Sequence, residues 1–306
     1  MTRFTPVRTV YLGTSDFAVA VLERVARSDH RPVLVVTRPD RPRGRGRKLA
    51  PPPVAEAARS LEIDLLQPDS VNADHARAAI AESRPDSVLI CAFGALIREP
   101  LLSEYPMLNV HPSLLPRWRG AAPIERAIEA GDEQTGVSIM RPTEEMDAGP
   151  VCLQRSEPIR PGDDYGSLAQ RLAALGGELL VEALDTSPPF EEQPGEGVTI
   201  APKIEAEDRA LDASLDAAAL ERRVRALTPH VGAYVLLPGG VRLGVRRAAV
   251  SDAPPPPPSE LSVDGDRLLF GCVDAALELL EVQPPGGRPM DAASYLRGAG
   301  AHLRAG

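Results

Sequence analysis

Asn109-Val110-His111-Pro112-Ser113-Leu114-Leu115-Pro116-Arg117-Trp118-Arg119-Gly120 opens as the end of a strand and turns into a proline-bounded loop. Met107, Leu108 and Val110 make the strand apolar, and Pro112, with no N–H for a sheet ladder, stops it beside His111. Asn109 and His111 are two residues apart, so on an extended backbone both side chains leave the same face. An amide and an imidazole then stand together at the carboxyl end of a strand, where ligands bind in open α/β sheets. An isolated Asn-x-His does no more than open a polar loop. Its surroundings decide.

Upstream, Val7 to Leu12 is a short apolar strand reaching Gly13, and Phe17, Val21 and Val25 recur at helical spacing. The turn Gly13-Thr14-Ser15-Asp16 lacks the G-x-G-x-x-G pattern of a dinucleotide cradle, and Ser15 or Asp16 serves as a helix cap. Strands at Val33 to Thr37, Ile63 to Leu66 and Ser87 to Phe93 alternate with helices at Val54 to Ser60 and Ala73 to Ser83. Downstream come a helix near Ala122 to Ala130, strands at Gly136 to Met140 and Val151 to Arg155, and a long helix from Tyr165 to about Leu184. This alternation predicts a mostly parallel, Rossmann-like sheet with helices on both faces.

Asp185 to Pro202, with Ser187-Pro188-Pro189, three glutamates and two glycines, reads as a linker. The expected division is therefore residues 1–185, a linker at 186–204, and a second domain at 205–306. That domain opens with a helix over Asp212 to Leu227, capped by Asp212 or Ser214. Short strands follow at Ala233 to Leu237, Val241 to Val245, Leu268 to Cys272 and Ala276 to Val282, then a closing helix over Met290 to Arg297. Such strands and turns predict a small barrel. The five prolines Pro254 to Pro258 form a stiff extended loop within it.

No run approaches the ~18 apolar residues of a membrane span, and the amino terminus lacks the apolar core of a secretion signal. Cys91, Cys152 and Cys272 are scattered and set in apolar sequence, so they read as buried thiols of a reducing compartment, with no metal site. A cytoplasmic protein is expected. Net charge is −9, but Arg38, Arg41, Arg43, Arg45, Arg47 and Lys48 surround the single acid Asp40, a local +5 against −14 for the rest. Such a patch on an acidic body addresses one polyanion without general stickiness. Its density of proline and glycine predicts neither helix nor strand.

Several strings share one source. Ser113-Leu114-Leu115-Pro116 with Arg117-Trp118-Arg119-Gly120 closely resembles the signature of the formyltransferases that use 10-formyltetrahydrofolate. Gly13 to Ala18, Gly44 to Leu49, Gly120 to Ile124, Asp147-Ala148-Gly149, Ala201 to Ile204 and Gly232-Ala233-Tyr234 match in the family's order over nearly the whole chain. The resemblance implies an Asn109–His111–Asp147 catalytic constellation, with Ser113, Leu114, Leu115 and Pro116 against the folate. It implies that the basic loop touches the acceptor arm of tRNA, and that an OB-type C-terminal barrel supplies part of the RNA surface. The implied reaction moves a formyl group from 10-formyltetrahydrofolate to the amino group of methionine on initiator methionyl-tRNA, in a monomer without metal.

By their chemistry, Asn109 suits an oxyanion donor, His111 an acid or charged partner, and Asp147 an acceptor for the amine's proton. Glu144, Glu145, Asp163 and Asp164 read as surface charges, and His30, His75, His230 and His302 receive no role. An amino-sugar nucleotide formyltransferase of the same fold is the competing reading, and the basic loop argues against it. Catalytically silent folate or RNA binding is a third, opposed by the intact triad. One departure stands out: Thr228-Pro229-His230-Val231 precedes Gly232-Ala233-Tyr234 where the family commonly has tryptophan and proline.

Overall fold

The computed structural model describes residues 5–43, 46, 48–298, 300 and 303. By its internal contacts the chain forms two units, residues 1–120, 135–158 and 169–200 in the first, and 121–134, 159–168 and 201–306 in the second.

The first unit is built on a seven-stranded sheet: β1 (Thr9–Gly13), β2 (Pro32–Val36), β3 (Asp64–Leu66), β4 (Ser87–Cys91), β5 (Met107–His111), β6 (Gln134–Met140) and β7 (Val151–Pro158). The order is β7-β6-β5-β4-β1-β2-β3; β3 to β5 run parallel, and β6 is antiparallel to β5. In β1 and β4 every residue is buried, as expected of strands covered on both faces. Val10, Leu12, Leu34, Val36, Val88 and Ile90 pack in one cluster with Ile80 of α3 (Asp74–Glu82). Between β1 and β2 lies α1 (Asp16–Ala26), capped by Ser15, whose Oγ accepts from Ala18 N–H at 3.4 Å. The later part of α6 (Tyr165–Thr186), which follows α2 (Pro53–Ser60), α4 (Leu101–Glu104) and α5 (Pro123–Ala130) in the chain, presses on the strands behind the loop mouth. A Cβ on Gly176 would sit 2.8 Å from Val110 Cγ1, and one on Gly177 would sit 2.8 Å from Arg24 Cβ. Glycine is what allows this approach.

Two expectations here need correction. The basic loop does contain strand: Arg41–Arg43 pairs antiparallel with Lys48–Ala50, Pro42 lying opposite Leu49. A two-stranded ribbon has only edges, so a proline without N–H does not break it. The presumed linker is laid along the first unit, Glu191 and Val151 exchanging N–H···O bonds of 2.8 and 2.9 Å.

The second unit is an antiparallel β domain with helices. Its strands are β8 (Ala233–Leu236), β9 (Arg242–Ser251), β10 (Leu261–Asp264), β11 (Arg267–Gly271), β12 (Ala276–Gln283) and β13 (Met290–Asp291). The order is β8-β9-β12-β11-β10, with β13 also on β12, and β9 shifts register around Arg247. Strands β10 and β13 lie outside the expected set. The helix α7 (Ala217–Leu227) begins later than expected and is capped by Asp216, whose Oδ1 accepts from Ala219 N–H at 2.5 Å. Leu211 and Ala213 enter the core instead, and Asp212 closes a turn onto Ser214 N–H. The proline run gains a structural account. A Cβ on Gly271 would fall 2.2 Å from Pro257 O, so the run lies against the end of β11.

Polar and thiol side chains hold further surprises. His30 is buried, accepting from Val7 N–H at 3.0 Å through Nδ1 and meeting Asp185 Oδ1 at 2.9 Å through Nε2. His230 stacks on Tyr165 with ring centroids 3.6 Å apart and meets Glu125 at 2.9 Å, which accounts for the departure before Gly232. His302 lies outside the described residues, and His75 is exposed. Asp163 is buried and not a surface charge, because it closes the turn before α6 by accepting from Arg160 N–H and Ser167 Oγ. Cys91 and Cys272 are buried, whereas Cys152 is half-buried. Among the described residues no helix is long and apolar enough to cross a membrane.

Candidate active site

Strand β5 delivers Asn109 and His111 to the carboxyl end of the parallel sheet. Asn109 is opposite Ile90 on β4 and opposite Met140 on β6, while His111 is opposite Ser138. His111 is only 4% exposed, so what its two ring nitrogens meet decides its chemistry. Nε2 lies 2.9 Å from Trp118 O, and Nδ1 lies 3.5 Å from Asp147 Oδ2. A carbonyl oxygen only accepts, so Nε2 carries a proton. The carboxylate too is an acceptor, so the ring faces an acceptor on either side.

Asp147 is brought to His111 by the loop between β6 and β7. Its backbone has φ of +51°, a left-handed conformation that a short polar side chain tolerates at a cost of about 1 kcal/mol. Gly120 N–H donates to Oδ2 at 2.9 Å, so the carboxylate is fixed from two directions. Gly149 seals the loop, since a Cβ there would stand 1.9 Å from Arg141 O. Of the three predicted catalytic residues, His111 and Asp147 are thus brought together, and Asn109 stands two residues before His111 on the same strand. Asn109 Nδ2 contacts Met140 Sδ at 3.5 Å, a weak acceptor that a stronger one displaces readily.

The loop after β5 is framed from within. Ser113 is fully buried and its Oγ donates to Arg117 O at 2.6 Å. Ser138 Oγ accepts from Leu115 N–H at 3.1 Å and from Gln154 Nε2 at 2.8 Å, and donates to Ser113 O at 2.6 Å. That exhausts a hydroxyl's one donor and two acceptors. Gln154 Nε2 also holds Leu115 O at 2.8 Å. Leu115 is core, while Leu114 and Pro116 remain half-exposed. Ser138 and Gln154 escaped the sequence reading; the one available signal was a serine inside an apolar strand.

Of the basic loop, Arg38 is anchored, its guanidinium donating to Gly94 O at 2.6 Å. Gln67 Nε2 holds Arg38 O at 3.0 Å and Asp40 Oδ1 at 2.8 Å. Arg41 and Lys48 are exposed, as is Leu49. Arg43 belongs to the ribbon, and Arg45 and Arg47 lie outside the described residues. Of the acids set aside, Glu144 and Glu145 are exposed, Glu145 pairing with Arg119 at 3.6 Å.

Comparison with known proteins gives a consistent picture. A family model described as "Formyl transferase" matches residues 7–184, and one described as "Formyl transferase, C-terminal domain" matches residues 203–300. The methionyl-tRNA formyltransferase of Methylococcus capsulatus is 43% identical over 307 aligned positions, covering 98% of this chain and 98% of that protein. Among solved structures, HypX from Aquifex aeolicus in complex with tetrahydrofolic acid superposes with a TM-score of 0.62 at 20% identity. That match takes in 95% of this chain but 47% of HypX, so the chain spans about half its length. The N-formyltransferase from Helicobacter canadensis, with folinic acid and dTDP-3-aminofucose, superposes with a TM-score of 0.65 at 11% identity, over 89% of this chain and 98% of that one. At such identities both structures speak for the fold alone.

Proposed function

We infer that this chain, which belongs to the formyl transferase family, transfers a formyl group from 10-formyltetrahydrofolate to the amino group of methionine on initiator methionyl-tRNA. The observation that carries the reading is the His111–Asp147 contact of 3.5 Å at the end of β5, on the strand that also bears Asn109. The likeness to the Methylococcus capsulatus enzyme over nearly all of both chains supports the choice of acceptor. The reaction belongs to translation initiation and so to the cytoplasm.

Each residue has a distinct task. The amine nitrogen forms a bond to the formyl carbon, the carbonyl oxygen takes up negative charge, and the bond to the folate nitrogen then breaks. Asn109 exchanges its weak sulfur contact for the oxyanion, and the His111 ring stands beside it as a hydrogen-bond donor. The Asp147 carboxylate receives the proton that the amine must lose and passes it on to the departing folate nitrogen. Leu114 and Pro116 offer apolar surface to the flat part of the folate, while Ser113 and Leu115 hold the loop in shape.

The basic ribbon and the C-terminal β domain are assigned to tRNA. Arg38 roots the loop, and Arg41, Arg43, Arg45, Arg47 and Lys48 meet phosphates. Neutralised phosphates release counterions, so log affinity falls with log salt at about 0.9 per contact on a duplex. Replacing Arg43, Arg45, Arg47 and Lys48 by alanine is expected to weaken tRNA binding and flatten that slope by up to about four units, with 10-formyltetrahydrofolate binding unchanged. The function itself is tested by following labelled formyl from 10-formyltetrahydrofolate, with methionyl-tRNA and an amino-sugar nucleotide offered side by side. Label on the methionyl amino group is expected. Transfer to the sugar alone overturns the reading.

A further inference from the structure

We propose that the segment from Glu191 to Thr199 is a brace of the active site and that Gln193 is a positioning residue for Asp147; this rests on the catalytic role given to Asp147 above. In this stretch every residue is exposed except Gln193 and Thr199, which turn inward. Gln193 Nε2 donates to Asp147 O at 2.8 Å and to Gly149 O at 2.7 Å, while its Oε1 accepts from Arg119 Nε at 3.0 Å. The amide can face only one way, because guanidinium N–H groups only donate and carbonyl oxygens only accept. Thr199 Oγ1 accepts from Trp118 N–H at 2.8 Å, and Thr199 O accepts from Arg119 N–H at 2.9 Å.

These anchors fall on the two loops that fix the His111–Asp147 pair. Trp118 supplies the carbonyl that meets His111 Nε2, and Gly120 supplies the N–H that meets Asp147 Oδ2. Gln193 joins the loops directly, holding Arg119 on one side and the backbone on either side of Ala148 on the other. On one side the segment borders open space. A cavity of about 290 Å³ lies beside the segment, lined by Leu115, Cys152, Gln154, Pro189, Glu191 and Gln193 among others. Beside the close fit at Gly149, hydrogen bonds from one amide hold the Asp147 backbone in place, and a misplacement of about 1 Å at a reacting group costs about 10²-fold in rate.

The test uses the full chain, with Gln193→Leu removing the whole network at similar volume and Gln193→Glu keeping the Arg119 contact while losing both donations. Each is expected to lower kcat by about 10²-fold, with KM for 10-formyltetrahydrofolate and for methionyl-tRNA within about threefold and an unchanged thermal midpoint. In an Asp147→Asn background, Gln193→Leu is expected to cost less than about threefold more, since a residue acting through Asp147 has little left to position. Wild-type kcat in either folded variant, a change confined to KM, or the same 10²-fold loss persisting beside Asp147→Asn overturns the proposal. If Asp147→Asn alone keeps full activity, the role of Asp147 fails first and takes the proposal with it. A normal Gln193→Leu beside a dead Asp147→Asn sinks the brace alone.

Discussion

Asn109→Ala, His111→Ala and Asp147→Ala are each expected to lower kcat by about two to four orders of magnitude, with native circular dichroism retained. The range follows from what each residue supplies. Losing one oxyanion donor costs about 10²–10³ in comparable sites, and the Asn109 amide has no tight partner whose loss would unfold the strand end. His111 is buried between two acceptors, so its removal takes away the imidazole and also breaks its contacts to Trp118 O and Asp147 Oδ2. Asp147→Ala has two effects. It removes the carboxylate, and it places alanine at φ of +51°, where a residue without a polar side chain is more strained. Asp147→Asn separates them, keeping the Gly120 N–H bond while lowering kcat nearly as far. Double variants are expected to fall well short of additivity, because the three act on one transition state. A triple variant with near-normal turnover ends the assignment.

Gly149→Ala is expected to be as damaging as losing the catalytic carboxylate, although glycine has no side chain to contribute. The added methyl would stand 1.9 Å from Arg141 O and 3.0 Å from Thr143 Cγ2. Backbone, not a flexible side chain, is in the way, and Arg141 N–H is itself held by Pro150 O at 2.9 Å. The loop must therefore open, carrying Asp147, two residues before Gly149, away from His111. A fall in kcat of about 10³-fold is expected, with a loss of stability of about 2–3 kcal/mol. Gly195→Ala is the control, since nothing lies within 4 Å of its Cβ position. Its stability should stay within about 0.5 kcal/mol of wild type. Equal turnover in the two variants would show that the 141–149 loop does not set Asp147.

Much of this was readable in the sequence, for physical reasons that differ by element. Strand β5 announced itself because Pro112 ends a ladder, and the residues before it alternate around Asn109 and His111. Ser15 was readable as a cap because its position before an apolar helix leaves it that task. The ribbon at Arg41–Ala50 was hidden, since proline excludes a residue from the interior of a sheet but not from a pair of edges. The start of α7 was misplaced because Asp212 and Ser214 have cap chemistry, yet Leu211 and Ala213 are needed in the core and Asp216 takes the cap. Grouping of residues 121–134 and 159–168 with the C-terminal unit depends on tertiary contacts such as α5 (Pro123–Ala130) on α7, which no local pattern encodes. Gln193 was unreadable for the opposite reason. Its neighbours have the composition of a flexible tether, and composition averages away the one amide that turns inward.

The cysteines carry a consequence for measurement. Cys91 ends β4 in the first sheet, and Cys272 follows β11 in the second unit. Burial pushes the Cys91 thiol up to about 12 and that of Cys272 up to about 11, and half-buried Cys152 is likewise raised to about 11. Alkylation requires a thiolate and a path to it, so in the native state all three are poor targets. Cys91 becomes reactive only when the first sheet opens, and Cys272 only when the second does. With half-buried Cys152 replaced by serine, each unit carries one buried reporter, and two labelling rates time their openings separately.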